Sequence, residues 1–386
     1  MKAIRPLIFT NILCVSAMMA FLAVIGPIIR ILGLKEWHAG LTVALGGVMW
    51  ILFSRFWGIK SDRQGRKKIL ITAVAGFSVF YLILAVFVNF AVISPPVMIV
   101  SLSVLVFTRG IIGLFYSAIP PVSAAVVADK TPPEQRASSM AALGASNGLG
   151  MILGPVVGGL LAVYGLAVPL YAAAVFPLAA VIVLAVMLTE SHNGKTEGQQ
   201  MLKITDKRLR YPSLAAFITM YSVVTCQICM GFFVLDRLGY EAIEGSRVTG
   251  YVLSACGISF IAIQIIVTKV KSITPETWMK LGAVTAFFGF ILTALSNTAV
   301  FLALALCIGT IGMGMVMPAF QAITANSVSK DEQGAAAGTV SAFQGIGIIA
   351  GPLASTMLYG INPSLPFIVA ASAFAFMALW ALFKRI

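Results

Sequence analysis

Twelve apolar runs, each near the roughly 20 residues that carry a helix across a bilayer, account for most of this 386-residue sequence. Their limits read 7–32, 40–58, 69–91, 96–122, 137–163, 167–188, 212–235, 249–268, 278–296, 299–323, 336–358 and 364–383. Only 10% of the residues are charged, 60% are hydrophobic, and the mean hydropathy is +1.00. Soluble domains carry about 25% charged residues. A soluble chain of this length has no way to cover so much apolar surface. The composition therefore specifies an all-α polytopic membrane protein with no room for a large soluble domain, and excludes a coiled coil or a disordered chain.

The net charge of +13 needs a location before it has a meaning. An even number of spans puts both termini on one side of the membrane. Of the 26 basic residues, 21 then fall on that side or at its edge. Four (Arg30, Lys35, Arg237, Arg247) fall on the other, and Arg109 lies inside a span. This is the positive-inside asymmetry, which places both termini in the cytoplasm. A nucleic-acid surface would interleave basic and aromatic residues on one face, so no nucleic acid is expected as a partner. The first span follows Lys2 and Arg5 but is too long for a signal-peptide core, and it reads as an uncleaved helix. The five cysteines (Cys14, Cys226, Cys229, Cys256, Cys307) all sit in apolar spans. Cys226 and Cys229 form a lone C-x-x-C without βαβ context, so packing is expected rather than zinc or redox chemistry.

The longest polar stretch runs from Glu190 to Arg210, with six spans on each side. It suggests bundles over 1–189 and 212–386 joined by a solvated linker over 190–211. Gly148, Gly150, Gly154 and Pro155 recur as Gly345, Gly347, Gly351 and Pro352 at a constant offset of 197, and Pro121 and Pro318 keep it too. A duplication of two parallel-topology six-helix bundles is expected of certain secondary transporters, which bind substrate near the midplane between the halves.

Three motifs carry a resemblance. After the second span comes Gly58-Ile59-Lys60-Ser61-Asp62-Arg63-Gln64-Gly65-Arg66-Lys67-Lys68. Its glycines suit a tight turn, Asp62 suits a helix N-terminus, and Arg66, Lys67 and Lys68 hold it in the cytoplasm. Arg109 stands mid-span in Thr108-Arg109-Gly110-Ile111-Ile112-Gly113. On insertion scales an arginine there costs about 2.5–3.5 kcal/mol, so it should face a hydrated bundle interior or tie to the first helix. The fifth span holds Gly150-Met151-Ile152-Leu153-Gly154-Pro155-Val156-Val157-Gly158-Gly159, where small residues every fourth position also let helices approach closely.

Together these motifs resemble the major facilitator superfamily, and the third resembles its twelve-helix drug/proton antiporter branch. Lys60 departs from the apolar residue usual at its position, so packing there should differ. The resemblance implies two pseudo-symmetric six-helix bundles, with a gate formed by Gly58, Asp62, Arg63, Gly65 and Arg66. It implies an antiporter motif of Gly150, Gly154, Pro155, Gly158 and Gly159. It implies a monomer in a bacterial cytoplasmic membrane that exports a small-molecule substrate by multidrug-type efflux, with protons as the second partner.

No nucleotide-binding loop is present, and neither an enzymatic constellation nor a cofactor or metal site is expected. Gly309, Gly312 and Gly314 lie within a span as packing residues. All 13 acidic residues fall in loops or at helix ends, so coupling would fall to Asp236 at the outer end of the seventh span or to Asp62. The expected substrate and coupling set is Arg109, Asp236, Asn11, Tyr116, Gln227, Gln321 and Gln344. Such a lining suits neutral, amphipathic or anionic compounds better than dications. Two alternatives stay open: an importer of a small anionic nutrient using Arg109, and a non-transporting membrane sensor.

Overall fold

The computed structural model describes residues 4–190, 206–270, 272–329 and 332–383. Their helices are α1 (Arg5–Ile31), α2 (Glu36–Gln64), α3 (Arg66–Ile93), α4 (Met98–Tyr116), α5 (Ile119–Lys130), α6 (Pro133–Leu161) and α7 (Val168–Met187), then α8 (Arg210–Asp236), α9 (Ala242–Lys269), α10 (Pro275–Ala294), α11 (Ala299–Asn326), α12 (Gln333–Ile361) and α13 (Leu365–Phe383). No strand forms among the described residues. Among the described residues, eleven helical stretches are long and apolar enough to cross a membrane, taking α4 and α5 together as Met98–Lys130. The 19 residues of α13 reach about 28 Å, close to a hydrocarbon core of roughly 30 Å, which completes the twelve expected spans. Leu52, Phe90, Ile182, Val186 and Val300 are largely exposed, as lipid-facing side chains must be and as a water-soluble surface of this extent would not tolerate.

Two expected boundaries change. The fourth span is two helices, not one over 96–122, because Pro120 and Pro121 supply no N–H to the carbonyls one turn back. The prolines instead fill the first turn of α5, where the missing donors are not needed. The segment Gly58–Gln64 is not a loop either. Helix α2 continues through it, and the reversal is made by Gly65 alone, at φ 95°, a conformation that favours glycine.

By contact the chain divides into two compact units, one of Met1–Thr196 and Tyr240–Ser254, the other of Glu197–Gly239 and Ala255–Ile386. Helix α9 is therefore shared. In the first unit α1 packs along α6 and α7, α2 along α4, and α3 along α4 and α7. In the second, α8 packs along α12, and α10 along α11 and α13. The pairs α1–α6 and α8–α12 are the same pair in each half, as are α3–α7 and α10–α13, so the internal repeat is one of packing as well as sequence. Gly309 and Gly312 of α11 bear out the packing reading. A Cβ at Gly312 would lie 2.3 Å from the Ala286 nitrogen on α10, and Gly309 faces Gly289 of α10.

Candidate functional site

Small residues set the α1–α6 seam. A Cβ at Gly150 would sit 2.7 Å from the Val15 Cβ, at Gly154 2.6 Å from the Ser16 carbonyl oxygen, and at Gly158 2.7 Å from the Ala20 carbonyl oxygen. Every fourth residue of α6 thus lets the α1 backbone approach closer than any side chain would permit. Asn11 closes one end of the seam, its Nδ2 donating to Ser146 Oγ and Asn147 Oδ1, both at 2.8 Å. Gly159 turns the other way, towards Ser246 and Gly250 of α9. A Cβ at Gly250 would lie 2.5 Å from the Pro155 carbonyl oxygen, and Ser254 Oγ donates to the Ile152 carbonyl at 3.1 Å. In the second unit Gly347 and Gly351 repeat the device against Phe217 and Tyr221 of α8.

The expected gate residues gather where α2 turns into α3. Arg66 is buried and bridges two carboxylates: Asp62 at 2.8 Å, one turn earlier, and Asp129 at 2.5 Å, near the end of α5. Asp62 thus pairs with Arg66 rather than capping a helix. The helix N-terminus is met instead by Glu190, whose Oε1 accepts from the Lys67 N–H at 3.0 Å. Glu190 also lies against Gly65, where a Cβ would come within 2.7 Å of its carboxyl carbon. Lys67 Nζ donates to the Ala185 carbonyl at 2.6 Å, and Lys130 Nζ donates to Thr189. So the end of α7 and the first residue of the expected linker belong to this cluster, a connection that nothing local in the sequence announces. The Lys60 ammonium lies 5.3 Å and 5.2 Å from the ring centroids of Phe56 and Trp57, so the unusual residue is held by cation–π contact. Gly58 is helical with open space around it, and Arg63 is exposed.

The second unit has its own charged cluster. Arg208 pairs with Asp206 at 2.8 Å and Glu332 at 3.0 Å, and Glu332 also accepts from the Ser329 N–H at 3.1 Å. The Arg208 guanidinium and the Ser329 N–H hold the Glu332 carboxyl down to about 2, and Arg208 lowers Asp206 as well.

Arg109 is 2% exposed and faces the interior of the first unit. Its Nη1 donates to the Tyr81 hydroxyl at 3.0 Å, which in turn donates to the Ala17 carbonyl at 3.1 Å. Its Cζ stands 4.3 Å from the Phe21 ring centroid, and its Nη1 lies 3.8 Å from Met18 Sδ. Arg109 Nε has no partner, and no carboxylate pairs with this arginine among the described residues. The surroundings are α1 and α3 side chains, so of the two expectations, a hydrated interior or a tie to the first helix, the tie is the one that these contacts make. Phe21 and Tyr81, which the sequence reading passed over, are what hold it.

The remaining candidates separate by unit. Tyr116 is half-buried, with its ring 6.0 Å from that of Phe77. In the second unit Asp236 ends α8 and accepts from the Tyr359 hydroxyl at 3.0 Å. Arg237 Nε donates to Asn297 Oδ1 at 3.1 Å. Gln227 on α8 and Gln344 on α12 are half-buried, and Gln321 on α11 is exposed.

The profile of the Major Facilitator Superfamily matches residues 7–352 and 273–386 of this chain. The class G tetracycline resistance protein of Vibrio anguillarum is 30% identical over 337 residues, covering 83% of this chain and 80% of that protein. The quinolone resistance protein NorA of Staphylococcus aureus is 25% identical over 376 residues, covering 96% and 93%. Among solved structures, a bacterial homolog of the human lysosomal transporter Spinster, inward-facing and occupied, has a TM-score of 0.76 at 15% identity, covering 99% of this chain and 92% of that one. The nucleoside transporter NupG has a TM-score of 0.76 at 14% identity, covering 99% of each chain. The two structural likenesses bear on the fold alone.

Proposed function

This chain belongs to the Major Facilitator Superfamily of transporters, and from that premise we propose that it exports small organic molecules by alternating access and proton antiport. The observation that carries export is the α6 seam. Gly150, Gly154, Pro155, Gly158 and Gly159 match the pattern that resembles the antiporter motif, and each of the four glycines sits at a close helix approach. Relatives named for tetracycline and quinolone resistance support the same reading. The skew of basic residues supports cytoplasmic termini in a bacterial cytoplasmic membrane. One charge moved across 100 mV is worth about 2.3 kcal/mol, enough to drive accumulation. Asp62 and Asp236 are the carboxylates proposed to carry the coupling, and Arg109 makes neutral, amphipathic or anionic cargo the better fit.

One observation favours a second reading, uptake of a small anionic nutrient. It is the same guanidinium, buried without a carboxylate beside it.

Proteoliposomes separate these readings. Antiport predicts counterflow that an imposed pH gradient accelerates, with protons running opposite to cargo, and predicts that Arg109→Ala, Asp62→Asn or Asp236→Asn slows it. Proton-independent counterflow would reject antiport, and the absence of counterflow across a panel of neutral and anionic compounds would favour a sensor. A preference for dicationic dyes would overturn the cargo assignment.

A further inference from the structure

In the second unit a cavity of about 430 Å³ lies between α8, α12 and α13. Its wall is graded. Arg210 and Ser213 stand in the first turn of α8, and Phe217, Phe343, Ile346 and Trp380 make the rest almost wholly apolar. The volume is within the range of small-molecule sites.

Two observations converge on the polar end. Ser213 is 3% exposed, and its hydroxyl has no hydrogen-bond partner, which is costly unless something else fills the role. Arg208 is taken up by Asp206 and Glu332, whereas Arg210 has no carboxylate partner among the described residues. The cavity lining itself contains no acid.

We propose that this cavity is a binding site for an anionic membrane phospholipid. The phosphodiester sits at Arg210 and Ser213, and one acyl chain runs along Phe217, Ile346 and Trp380. Arg210 is the first residue of its helix, and Trp380 lies close to the end of α13, the interfacial level at which headgroups and tryptophans meet. A zwitterionic lipid offers the same phosphate, but its ammonium finds no carboxylate here, so the site selects for net negative charge. This inference does not depend on which compound the protein transports.

The full-length protein in detergent, mixed with equal amounts of phosphatidylglycerol, phosphatidylethanolamine and phosphatidylcholine, is read by native mass spectrometry. Phosphatidylglycerol adducts should exceed the others at least fivefold. Arg210→Gln should abolish the preference, Ser213→Ala should weaken it, and Arg210→Lys should keep most of it. Brominated phosphatidylglycerol should quench fluorescence that Trp380→Phe removes, which locates the chain even if Arg210→Gln proves unstable. Equal retention of the three lipids, an unchanged preference in Arg210→Gln, or quenching unaffected by Trp380→Phe would overturn the proposal. Displacement of the lipid by equimolar inorganic phosphate or oleate would also overturn it, in favour of a free anion or fatty acid.

Discussion

Replacing Gly154 by alanine tests whether the α6 seam is a steric requirement. Two effects oppose each other. Alanine is favoured over glycine in a helix by about 1 kcal/mol. Against that, the new Cβ would lie 2.5 Å from the Met19 Cβ and 2.6 Å from the Ser16 carbonyl oxygen. One is a backbone atom and the other the first side-chain carbon, so no change of rotamer clears them. Overpacking of this kind costs about 1–3 kcal/mol, and a backbone that must separate belongs at the upper end. The net expectation is a loss of about 1–2 kcal/mol, roughly a 5- to 30-fold fall in the folded-to-unfolded ratio. Gly144 lies on the same helix with nothing within 4 Å. Gly144→Ala should be neutral or stabilising by up to about 1 kcal/mol. Reversible unfolding in mixed detergent and dodecyl sulfate micelles, followed by circular dichroism, measures both. If Gly154→Ala unfolds at the wild-type midpoint, or both variants shift alike, the close approach is not what these glycines are for.

Tyr81→Phe leaves Arg109 without the hydroxyl that it donates to at 3.0 Å; it should cost about 1–3 kcal/mol in the same assay and lower transport, and wild-type behaviour in both would remove Tyr81 as the support. Asp129→Asn should destabilise more than Asp62→Asn, about 2 kcal/mol against about 1, because the Asp129 side chain is 11% exposed and that of Asp62 31%; the reverse order in melting temperature would refute the ranking. The carboxyl of Glu332 is held down from 4.5 to about 2, so the stability it confers is complete above about 4.5 and lost as pH falls towards 2. Between about pH 6 and pH 3 the wild type should therefore lose more melting temperature than Glu332→Gln, and parallel losses would show that the Arg208 contact contributes nothing.

What the sequence made legible was whatever one segment decides by itself. A run of apolar residues needs no partner to specify a membrane helix, so the twelve spans and their repeat could be read directly. The same holds for Gly150, Gly154 and Gly158, whose spacing puts them on one face whichever helix they meet. The break at Ser117 had its cause in view, Pro120-Pro121, but the apolar run across it was the stronger cue. Contacts between distant segments left no local mark. Arg66 and Asp129 are 63 residues apart, and Lys67 meets Glu190 from 123 residues away. Glu190, at the edge of a polar stretch, had every appearance of a solvated linker residue. Asn11 announced a polar role but not that Ser146 and Asn147 would fill it.

Arg109 shows why composition alone misjudges a buried charge. The insertion penalty of about 2.5–3.5 kcal/mol called for a hydrated interior or a tie to the first helix, without saying what the tie would be made of. The structure offers a phenol oxygen at 3.0 Å and an aromatic face at 4.3 Å. A hydrogen bond to a charged group contributes about 1.5–3 kcal/mol, and a desolvated cation–π contact about 2. Together these match the penalty without neutralising the charge. A carboxylate would have balanced the energy equally well but cancelled the positive field around the guanidinium. Tyr81 and Phe21 therefore do what a counter-ion cannot: they anchor the side chain and leave its full charge in place, with Nε buried and unpartnered. That retained charge is the ground on which we propose a role for Arg109 in cargo binding or coupling.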